Sequence, residues 1–442
     1  MLKPATYLVL VSFLITLEIY RIPTPLGLNI PICHIFLGLA LCIGGLAFLS
    51  RTLKIRLDRD TRVLLVIFIL FASYSLLSFM RNIGSMRPES MSSYFSELVG
   101  YAIFLSVTLF IGKMAELQKV TKAFLASSIF VYTGTFWHIY NYSVLGQYVT
   151  GTPFWQEYTR SEHVLEYIES VAWFGGVPRF RLPFSSPAGT GVFLALAGIL
   201  LLAFTLHHIA SKKKWTWILI LLNLLNFFCL LGTFARASWA VFLIGSLFTL
   251  WYFRKLNLIS LGKITLTLLV STGLFFAVLS LTPIGDEFFH MVGLRLSPEV
   301  TRTSDIGHYE SRMLALEYWE ESPIFGLGIG GFWLKPGGGI HTHSTYFTIL
   351  VERGFIGLML FLGFLFQTYR TLKSKIRLLD ESNDKMMLIY NIGFLGSLSG
   401  LFVGMFLYEM KSEIVWIFFG IILAFLKLLP TRKANSEQKR VL

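Results

Sequence analysis

Two histidines, His341 and His343, stand just before an apolar run near the C-terminal quarter of the sequence. A neutral imidazole accepts a proton near pH 7, so either residue is a candidate general base. A shared metal site is the weaker interpretation, because alternate residues of an extended segment point to opposite sides and no carboxylate lies close by. We predict a base that deprotonates a hydroxyl, and no bound metal.

Four arginines stand apart from the Lys- and Arg-rich clusters of the chain. Arg179 and Arg181 lie just before an apolar run, Arg236 sits in a short turn between two apolar runs, and Arg312 lies on a polar helix. The planar guanidinium makes paired hydrogen bonds to phosphate, so the four together indicate an anionic group, and a lipid-linked diphosphate fits. The alternatives are that Arg236 reaches lipid headgroups and that the helix carrying Arg312 merely packs on the bundle.

The elements that position these residues are long apolar runs. The 442 residues are 55% hydrophobic and 14% charged, and the mean hydropathy is +0.66. Apolar runs of this kind predict an all-α integral membrane protein, since they do not alternate as barrel strands would. We predict twelve spans, at about 5–20, 31–49, 63–80, 97–112, 123–141, 188–206, 215–232, 236–253, 263–282, 345–368, 387–408 and 412–429.

The net charge of +13 reports topology. With both termini on one side, 25 of the 38 Lys and Arg residues fall in short segments on that same side. Basic residues concentrate on the cytoplasmic side of membrane proteins, so we predict cytoplasmic termini and no nucleic-acid partner. The three cysteines, Cys33, Cys42 and Cys229, lie in apolar runs and are interpreted as small buried hydrophobic residues.

This topology leaves two long outer segments, 142–187 and 283–344, in a single membrane domain that spans residues 1–442. The second segment contains a predicted surface helix over 309–320 and then a glycine-rich stretch that we interpret as a flexible turn. We expect His308 to be solvated. Glu352, just inside the next span, is a candidate partner for an outer arginine.

Several motifs, taken together and in this order, resemble the O-antigen ligase and polymerase superfamily of bacterial envelopes. They are FSSPAG at 184–189, GTFARASW at 232–239, SR at 311–312 with SPIFGLGIG at 322–330, and HTHSTYF at 341–347 with ERGFIG at 352–357. The similarity covers about 175–360. Ser344 and Ala235 depart from the Asn and Ser that are usual in the family, but the histidine and the arginine beside them are kept.

The resemblance implies a class-C glycosyltransferase (GT-C) with a large periplasmic loop bearing surface helices, in the bacterial inner membrane. Its donor would be a glycan on undecaprenyl diphosphate, and the transfer would be inverting and independent of metals and cofactors. His343, Arg236 and Arg312 would be catalytic, and His341 and Glu352 would support them. The residues that would bind the diphosphate are Arg179, Arg181, Arg236 and Arg312.

Two functions within the superfamily remain open. The leading one is an O-antigen ligase, whose acceptor is lipid A–core in lipopolysaccharide biosynthesis. The alternative is an O-antigen polymerase, which extends a growing glycan on the same lipid carrier. A lipid-linked oligosaccharide transporter is the third candidate. It would predict charged or broken helices near the bilayer midplane and similar halves, whereas the motifs here cluster in one outer loop.

Overall fold

The computed structural model of the chain describes residues 3–17, 21–23, 29–50, 57–85, 88–145, 173–174, 177–181, 184, 186–260, 262, 273, 277, 280, 285–337, 342–382, 384–409 and 412–429. Within these ranges the chain is almost entirely α-helical, which confirms the predicted helical class. His341 lies outside the described residues, as do most of the first outer segment and most of the predicted span 263–282.

The described helices are α1 Pro4–Leu14, α2 Ile32–Leu49, α3 Arg59–Met80, α4 Pro88–Phe110, α5 Met114–Ala126, α6 Ser128–Leu145, α7 Pro187–Ala210, α8 Thr216–Gly232, α9 Arg236–Lys255, α10 Gly285–Leu296, α11 Pro298–Trp319, α12 Thr345–Glu381, α13 Lys385–Leu407 and α14 Glu413–Leu428. Two short antiparallel hairpins, which the sequence did not predict, pair β1 Arg21–Pro23 with β2 Asn29–Pro31 and β3 Trp173–Phe174 with β4 Val177–Pro178.

Six of the described helices, α2, α3, α7, α9, α12 and α13, are long and apolar enough to cross a membrane. Shorter apolar helices at Pro4–Leu14, Tyr94–Phe110 and Thr216–Gly232 coincide with three further predicted spans. The chain is therefore a multi-pass membrane protein by the length and composition of its helices. The count of twelve spans stays a prediction.

One predicted span is divided. The run at 123–141 belongs to two helices, because α5 ends at Ala126 and α6 begins at Ser128. Ser127 Oγ donates to the carbonyl of Phe124 (2.6 Å), and Thr16 Oγ1 donates to the carbonyl of Ser127 (3.3 Å). Side-chain hydrogen bonds of this kind compete with the helical pattern, which hydropathy does not register.

The centre of the bundle is formed by α13 and α14, which are buried along most of their length. Helix α9 crosses α13 at two glycines, where a Cβ on Gly396 would lie 2.7 Å from the carbonyl oxygen of Gly245 and one on Gly400 would lie 2.3 Å from that of Val241. Small residues four apart allow such close backbone approach between membrane helices. Because Arg236 begins α9, this packing fixes where its guanidinium emerges.

Helices α9 and α12 run antiparallel to α13, and α3 runs antiparallel to α12, so the bundle has two unlike ends. At the end where α9 and α12 begin, here called the Arg236 end, α3 and α13 finish. At the opposite end Lys375 lies 3.9 Å from Asp58, at the start of α3. Lys427 there donates to the carbonyl of Thr108. The residues with candidate chemistry and these two lysines thus occupy opposite ends.

Candidate functional site

The turn between α8 and α9 shapes the core of the site. Phe234 adopts φ +49°, an uncommon conformation for a residue with a side chain. The Thr233 hydroxyl donates to the carbonyl of Leu230 (2.7 Å) and accepts from the backbone N–H of Ala235 (3.3 Å). Trp239 Nε1 donates to the same Leu230 carbonyl (2.9 Å). The turn is tightened by its own side chains, and Arg236 follows it directly.

Two further arginines, from other segments, donate hydrogen bonds to this turn. Arg179 Nε donates to the carbonyl of Thr233 (2.9 Å), and Arg295 Nε, from α10, donates to the carbonyl of Phe234 (3.1 Å). Arg179, Arg295 and Arg236 therefore meet around three consecutive peptide units. We call these three residues, together with Arg312, the arginine cluster.

The charges of the cluster act on one another. Burial, and then the positive charge of Arg295, lower the pKa of Arg179 to about 10. Burial followed by the charge of Arg236 lowers the pKa of Arg295 in the same way. Like charges held this close disfavour each other, so an anion placed among them is stabilised.

One member of the arginine cluster already binds a carboxylate. Asp305 on α11 accepts from both terminal nitrogens of Arg236, with 3.2 Å between Nη1 and Oδ2 and a shorter contact between Nη2 and Oδ1. The pair is open to solvent, since the Arg236 side chain is 26% exposed and that of Asp305 is 57% exposed. Arg236 therefore presents its fork to an oxyanion at an accessible surface.

Arg312 links the cluster to the histidine segment. Its Nη2 donates to the carbonyls of His343 (3.2 Å) and Leu407 (3.4 Å), and its guanidinium lies 5.4 Å from the ring centroid of Phe406. Its Nε is buried and has no hydrogen-bond partner among the described residues. The helix predicted over 309–320 is present and is longer than expected, because α11 begins at Pro298.

His343 is held by the residues around it. It adopts φ +52°, and it precedes Ser344, the N-terminal capping position of α12. Ser344 Oγ donates to the carbonyl of Met405 (3.2 Å), while Thr342 Oγ1 donates to the carbonyl of Ser344 (2.9 Å). The serine that replaces the usual asparagine thus ties the histidine segment to the end of α13.

The prediction that His308 is solvated is wrong. Its ring lies against that of His343, with centroids 4.1 Å apart and planes inclined by 63°. Burial, and then the charge of Arg312, lower the pKa of His308, whereas Asp305 acts in the opposite direction. A lowered pKa keeps the His308 imidazole neutral. Its contact with the His343 ring brings two histidines together beside the arginine cluster.

The glycine-rich stretch after α11 is also unlike the flexible turn that we expected. Residues 326–331, here called the glycine loop, are bonded to the first turns of α12. Leu327 N–H donates to the carbonyl of Val351 (2.8 Å) and Gly328 N–H to that of Glu352 (2.9 Å). Helix α12 breaks there, at Gly354 with φ +63°, where a Cβ would lie 2.3 Å from the carbonyl oxygen of Ile324.

Glu352 belongs to this docking. Its Oε1 accepts from the N–H of Gly330 (3.0 Å), and its backbone carbonyl also accepts from Ser78 Oγ on α3 (3.0 Å). Its carboxylate is therefore directed at the glycine loop, and the described hydrogen bonds of Arg236 and Arg312 go elsewhere. Glu352 therefore fastens the glycine loop and the end of α3 to the first turns of α12.

A family model described as O-antigen ligase matches residues 221–362, about a third of the chain. This segment is similar to the O-antigen ligase family. The resemblance inferred from the motifs is thereby confirmed, for a family of O-antigen ligases and polymerases. No curated protein shows a significant match to the chain.

The O-antigen ligase match contains most of the site. Arg236, Arg312 and His343 all lie within 221–362, and so do three contributors that the motifs did not single out, Arg295, Asp305 and His308. A signal for two of them was present in the sequence. Asp305, His308 and Arg312 recur at intervals of three and four residues, the spacing of one helix face.

Arg179 and Arg181, the two predicted diphosphate ligands that precede the O-antigen ligase match, have different surroundings in the structure. Arg179 is half-buried at the α8–α9 turn, whereas the Arg181 side chain is almost completely buried. The carbonyl of Arg181 accepts from Thr190 Oγ1 (2.7 Å) and from the N–H of Phe184 (2.7 Å). Arg181 therefore lies within the packing at the start of α7, and Arg179 is the better placed of the two.

Proposed function

We propose that the chain is an O-antigen ligase that transfers a glycan from undecaprenyl diphosphate to a hydroxyl of lipid A–core. The reaction is an inverting glycosyl transfer that draws on no metal or cofactor. The family match supports a ligase or polymerase in general terms, and the donor, the acceptor and the roles of the residues are our inference.

The observation that carries the proposal is the arginine cluster with a carboxylate in its open fork. Arg236 holds Asp305 through two nitrogens at an accessible surface, and Arg179 and Arg295 adjoin the same turn. A diphosphate offers the same paired oxygen geometry with more charge, so it would compete for this fork. Arg236, Arg179 and Arg312 would then hold the lipid diphosphate, with Arg295 adding its charge.

The chemistry follows from these positions. The acceptor oxygen attacks the anomeric carbon while the bond from that carbon to the diphosphate oxygen breaks. The electron pair leaves with the lipid diphosphate, and the arginines stabilise the charge that develops there. A neutral His343 takes the proton of the acceptor hydroxyl. Attack from the face opposite the leaving group inverts the configuration of the anomeric carbon.

His308 and Arg312 adapt His343 to this role. Arg312 donates to the backbone carbonyl of His343, so one residue serves both the anion and the segment that carries the base. His308 touches the His343 ring, and its lowered pKa favours the uncharged imidazole. A neutral neighbour adds no positive charge that would oppose protonation of His343.

The proposal includes a location. The reaction would take place on the periplasmic face of the bacterial inner membrane, in a twelve-span class-C protein with cytoplasmic termini. The segments 142–187 and 283–344 would form the catalytic region of a single domain, 1–442. Arg236, Arg312 and His343 lie at the end of the bundle opposite Lys375 and Lys427. This supports the assignment, because lysines concentrate on the cytoplasmic side.

An O-antigen polymerase uses the same donor and is the alternative. A transporter is disfavoured by the position of the break in α12. Ser78, in the last turn of α3, donates to the carbonyl of Glu352, two residues before Gly354. The break therefore lies level with the end of a membrane-spanning helix and not with its middle, where transporters bind substrate.

The test is deletion of the gene and complementation, read on a lipopolysaccharide gel. Loss of a ligase leaves bare core and free lipid-linked polymer, whereas loss of a polymerase leaves core that carries one repeat. His343→Asn should fail to complement, because asparagine tolerates φ +52° but supplies no comparable base. His290→Asn, on α10, is the matched control and should complement. Normal glycan attachment with His343→Asn would refute the proposed base.

A further inference from the structure

A second group of polar side chains gathers at the Arg236 end, on helices that contribute nothing to the arginine cluster. Cys33 and His34 lie in the first turn of α2, and Glu413 begins α14. Each side chain offers one ligand atom, and the three atoms lie within 4.8 Å of one another. They are the thiol sulfur, an imidazole nitrogen and a carboxylate oxygen. The three cysteines of the chain were interpreted from the sequence only as buried hydrophobic residues.

The arrangement of the three side chains is ordered by direct contacts. His34 Nε2 lies 2.8 Å from Glu413 Oε2, and Ser96 Oγ on α4 donates to the other carboxylate oxygen, Oε1 (3.3 Å). Cys33 is buried, while the side chains of His34 and Glu413 are 19% and 17% exposed. The group is therefore sheltered from bulk water but remains reachable from the surface.

We propose that Cys33, His34 and Glu413 form a zinc site. Thiolate, imidazole and carboxylate are the ligands that Zn²⁺ takes in proteins, at about 2.3, 2.0 and 2.1 Å. Ligand atoms at those distances in a tetrahedron are about 3.3–3.6 Å apart. His34 Nε2 and Glu413 Oε2, now 2.8 Å apart, would separate by about 0.5 Å to admit the metal, and all three atoms already lie within 4.8 Å of one another. A thiolate and an imidazole disfavour Mg²⁺ and Ca²⁺, which prefer all-oxygen sites.

Binding would proceed with a defined exchange of protons. The Cys33 thiol loses its proton to solvent, and the His34 imidazole coordinates in its neutral form, so zinc uptake weakens as the pH falls. The hydrogen bond between His34 and Glu413 is replaced by two bonds to the metal. Ser96 keeps its hold on Glu413 Oε1 and orients the carboxylate, as outer partners of metal ligands do.

The consequence would be structural. Helix α2 exposes large apolar side chains such as Leu46, Phe48 and Leu49, so much of its surface faces outward from the bundle. A metal at Cys33 would fasten its start to α14, and through Ser96 to α4. The zinc site shares no residue with the arginine cluster or the two facing histidines, so it is independent of the proposed glycosyl transfer.

The test uses the full-length chain purified in detergent and stripped with a chelator. Separate samples are titrated with Zn²⁺ and with Co²⁺. We expect one equivalent of tightly bound zinc, and a near-ultraviolet charge-transfer band from thiolate to cobalt. Cys33→Ser should abolish the band and weaken zinc binding at least tenfold. Cys42→Ser, on the exposed side of the same helix, is the matched control and should keep both.

A milder variant guards against misfolding. Ser96→Ala keeps all three ligands and should weaken zinc binding about tenfold, the usual effect of losing an outer partner. Size-exclusion profiles and helical circular dichroism should match those of the parent chain in every variant. Absence of stoichiometric zinc binding, or a cobalt band that survives Cys33→Ser, would overturn the proposal.

Discussion

Two arginine–carboxylate pairs stand at the Arg236 end of the bundle, and they differ in what surrounds them. Arg353 Nη2 on α12 lies 2.6 Å from Glu97 Oε2 on α4, and the two side chains are 0% and 5% exposed. Arg236 and Asp305 form a similar contact with side chains that are 26% and 57% exposed. The chemistry of the two pairs is alike, and access to solvent is what separates them.

The Arg353–Glu97 pair is enclosed by protein. Glu97 Oε1 also accepts from the Tyr101 hydroxyl (2.5 Å), and the Arg353 guanidinium lies 5.6 Å from the ring centroid of Phe71. Among the described residues the Arg353 side chain is fully buried, so it presents no donor at the surface. The pair joins α4 to α12 and is structural.

The Arg236–Asp305 pair has the opposite character. Asp305 is the more exposed member of the pair, so another oxyanion can replace its carboxylate at little cost in free energy. The exposure of its carboxylate partner therefore distinguishes a structural arginine at the end of a membrane helix from one that is open to a ligand. The residue type and its position in the sequence do not reveal that exposure.

The largest effect should come from breaking the enclosed pair. Arg353→Met leaves Glu97 buried without its partner, and loss of one member of a buried pair costs about 3–5 kcal/mol. We expect little folded protein, with a sharply lower midpoint of thermal unfolding in detergent. The double variant Arg353→Met, Glu97→Gln should recover part of that loss. Equal stability of the parent chain and the single variant would contradict a structural role.

The accessible pair should respond in activity and not in folding. Arg236→Lys replaces the fork by a point charge, and removal of one such stabilising donor lowers turnover by about 100-fold or more. Turnover is measured with purified protein, a lipid diphosphate-linked glycan and lipid A–core. Arg254→Lys, exposed at the other end of the same helix, is the control and should leave turnover unchanged. Full activity of Arg236→Lys would favour a headgroup-anchoring role.

A smaller effect, of opposite sign, should follow from removing the carboxylate. Asp305→Asn deletes the internal competitor for the Arg236 fork, so the KM for the donor should fall. An exposed pair contributes at most about 1 kcal/mol, which corresponds to about fivefold in affinity. Thermal stability should stay within about 1 kcal/mol of the parent chain. A raised KM would mean that Asp305 helps to hold the donor.

The smallest effect concerns pH. Asp305 raises the pKa of His308, in opposition to burial and to the arginines, so Asp305→Asn should lower that pKa further. If protonation of His308 inhibits the reaction, a lower pKa means that more acid is needed, and the acidic limb of the rate profile should move to lower pH by less than about one unit. In a His308→Asn background the same substitution should not move the limb.

Much of the fold was predictable because its signals are local. Apolar runs predicted the helical class and most of the described helices, and the motifs singled out Arg236, Arg312 and His343 as candidates. These three lie near one another in the structure, since Arg312 reaches the His343 carbonyl and shares Asp305 as a neighbour with Arg236. Their roles stay a prediction.

What the sequence did not predict depends on contacts between distant segments. Ser78 and Glu352 are 274 residues apart, and no local pattern indicates that the glycine loop docks between α3 and α12. Burial of Arg181 likewise depends on how α7 packs. His308 was missed because a single histidine on a polar helix looks solvated until its neighbour on another segment is known.

The break at Gly354 also bears on how the protein meets membranes of different thickness. A straight helix of 37 residues would measure about 55 Å, against a hydrocarbon core of about 30 Å. Helices adjust to thinner or thicker bilayers mainly by tilting. Because the glycine loop fastens the first turns of α12 to α3, Gly354 is the point at which a change in tilt of the remaining helix would be taken up. The contact between Arg312 and the His343 carbonyl would then depend little on the thickness of the surrounding lipid.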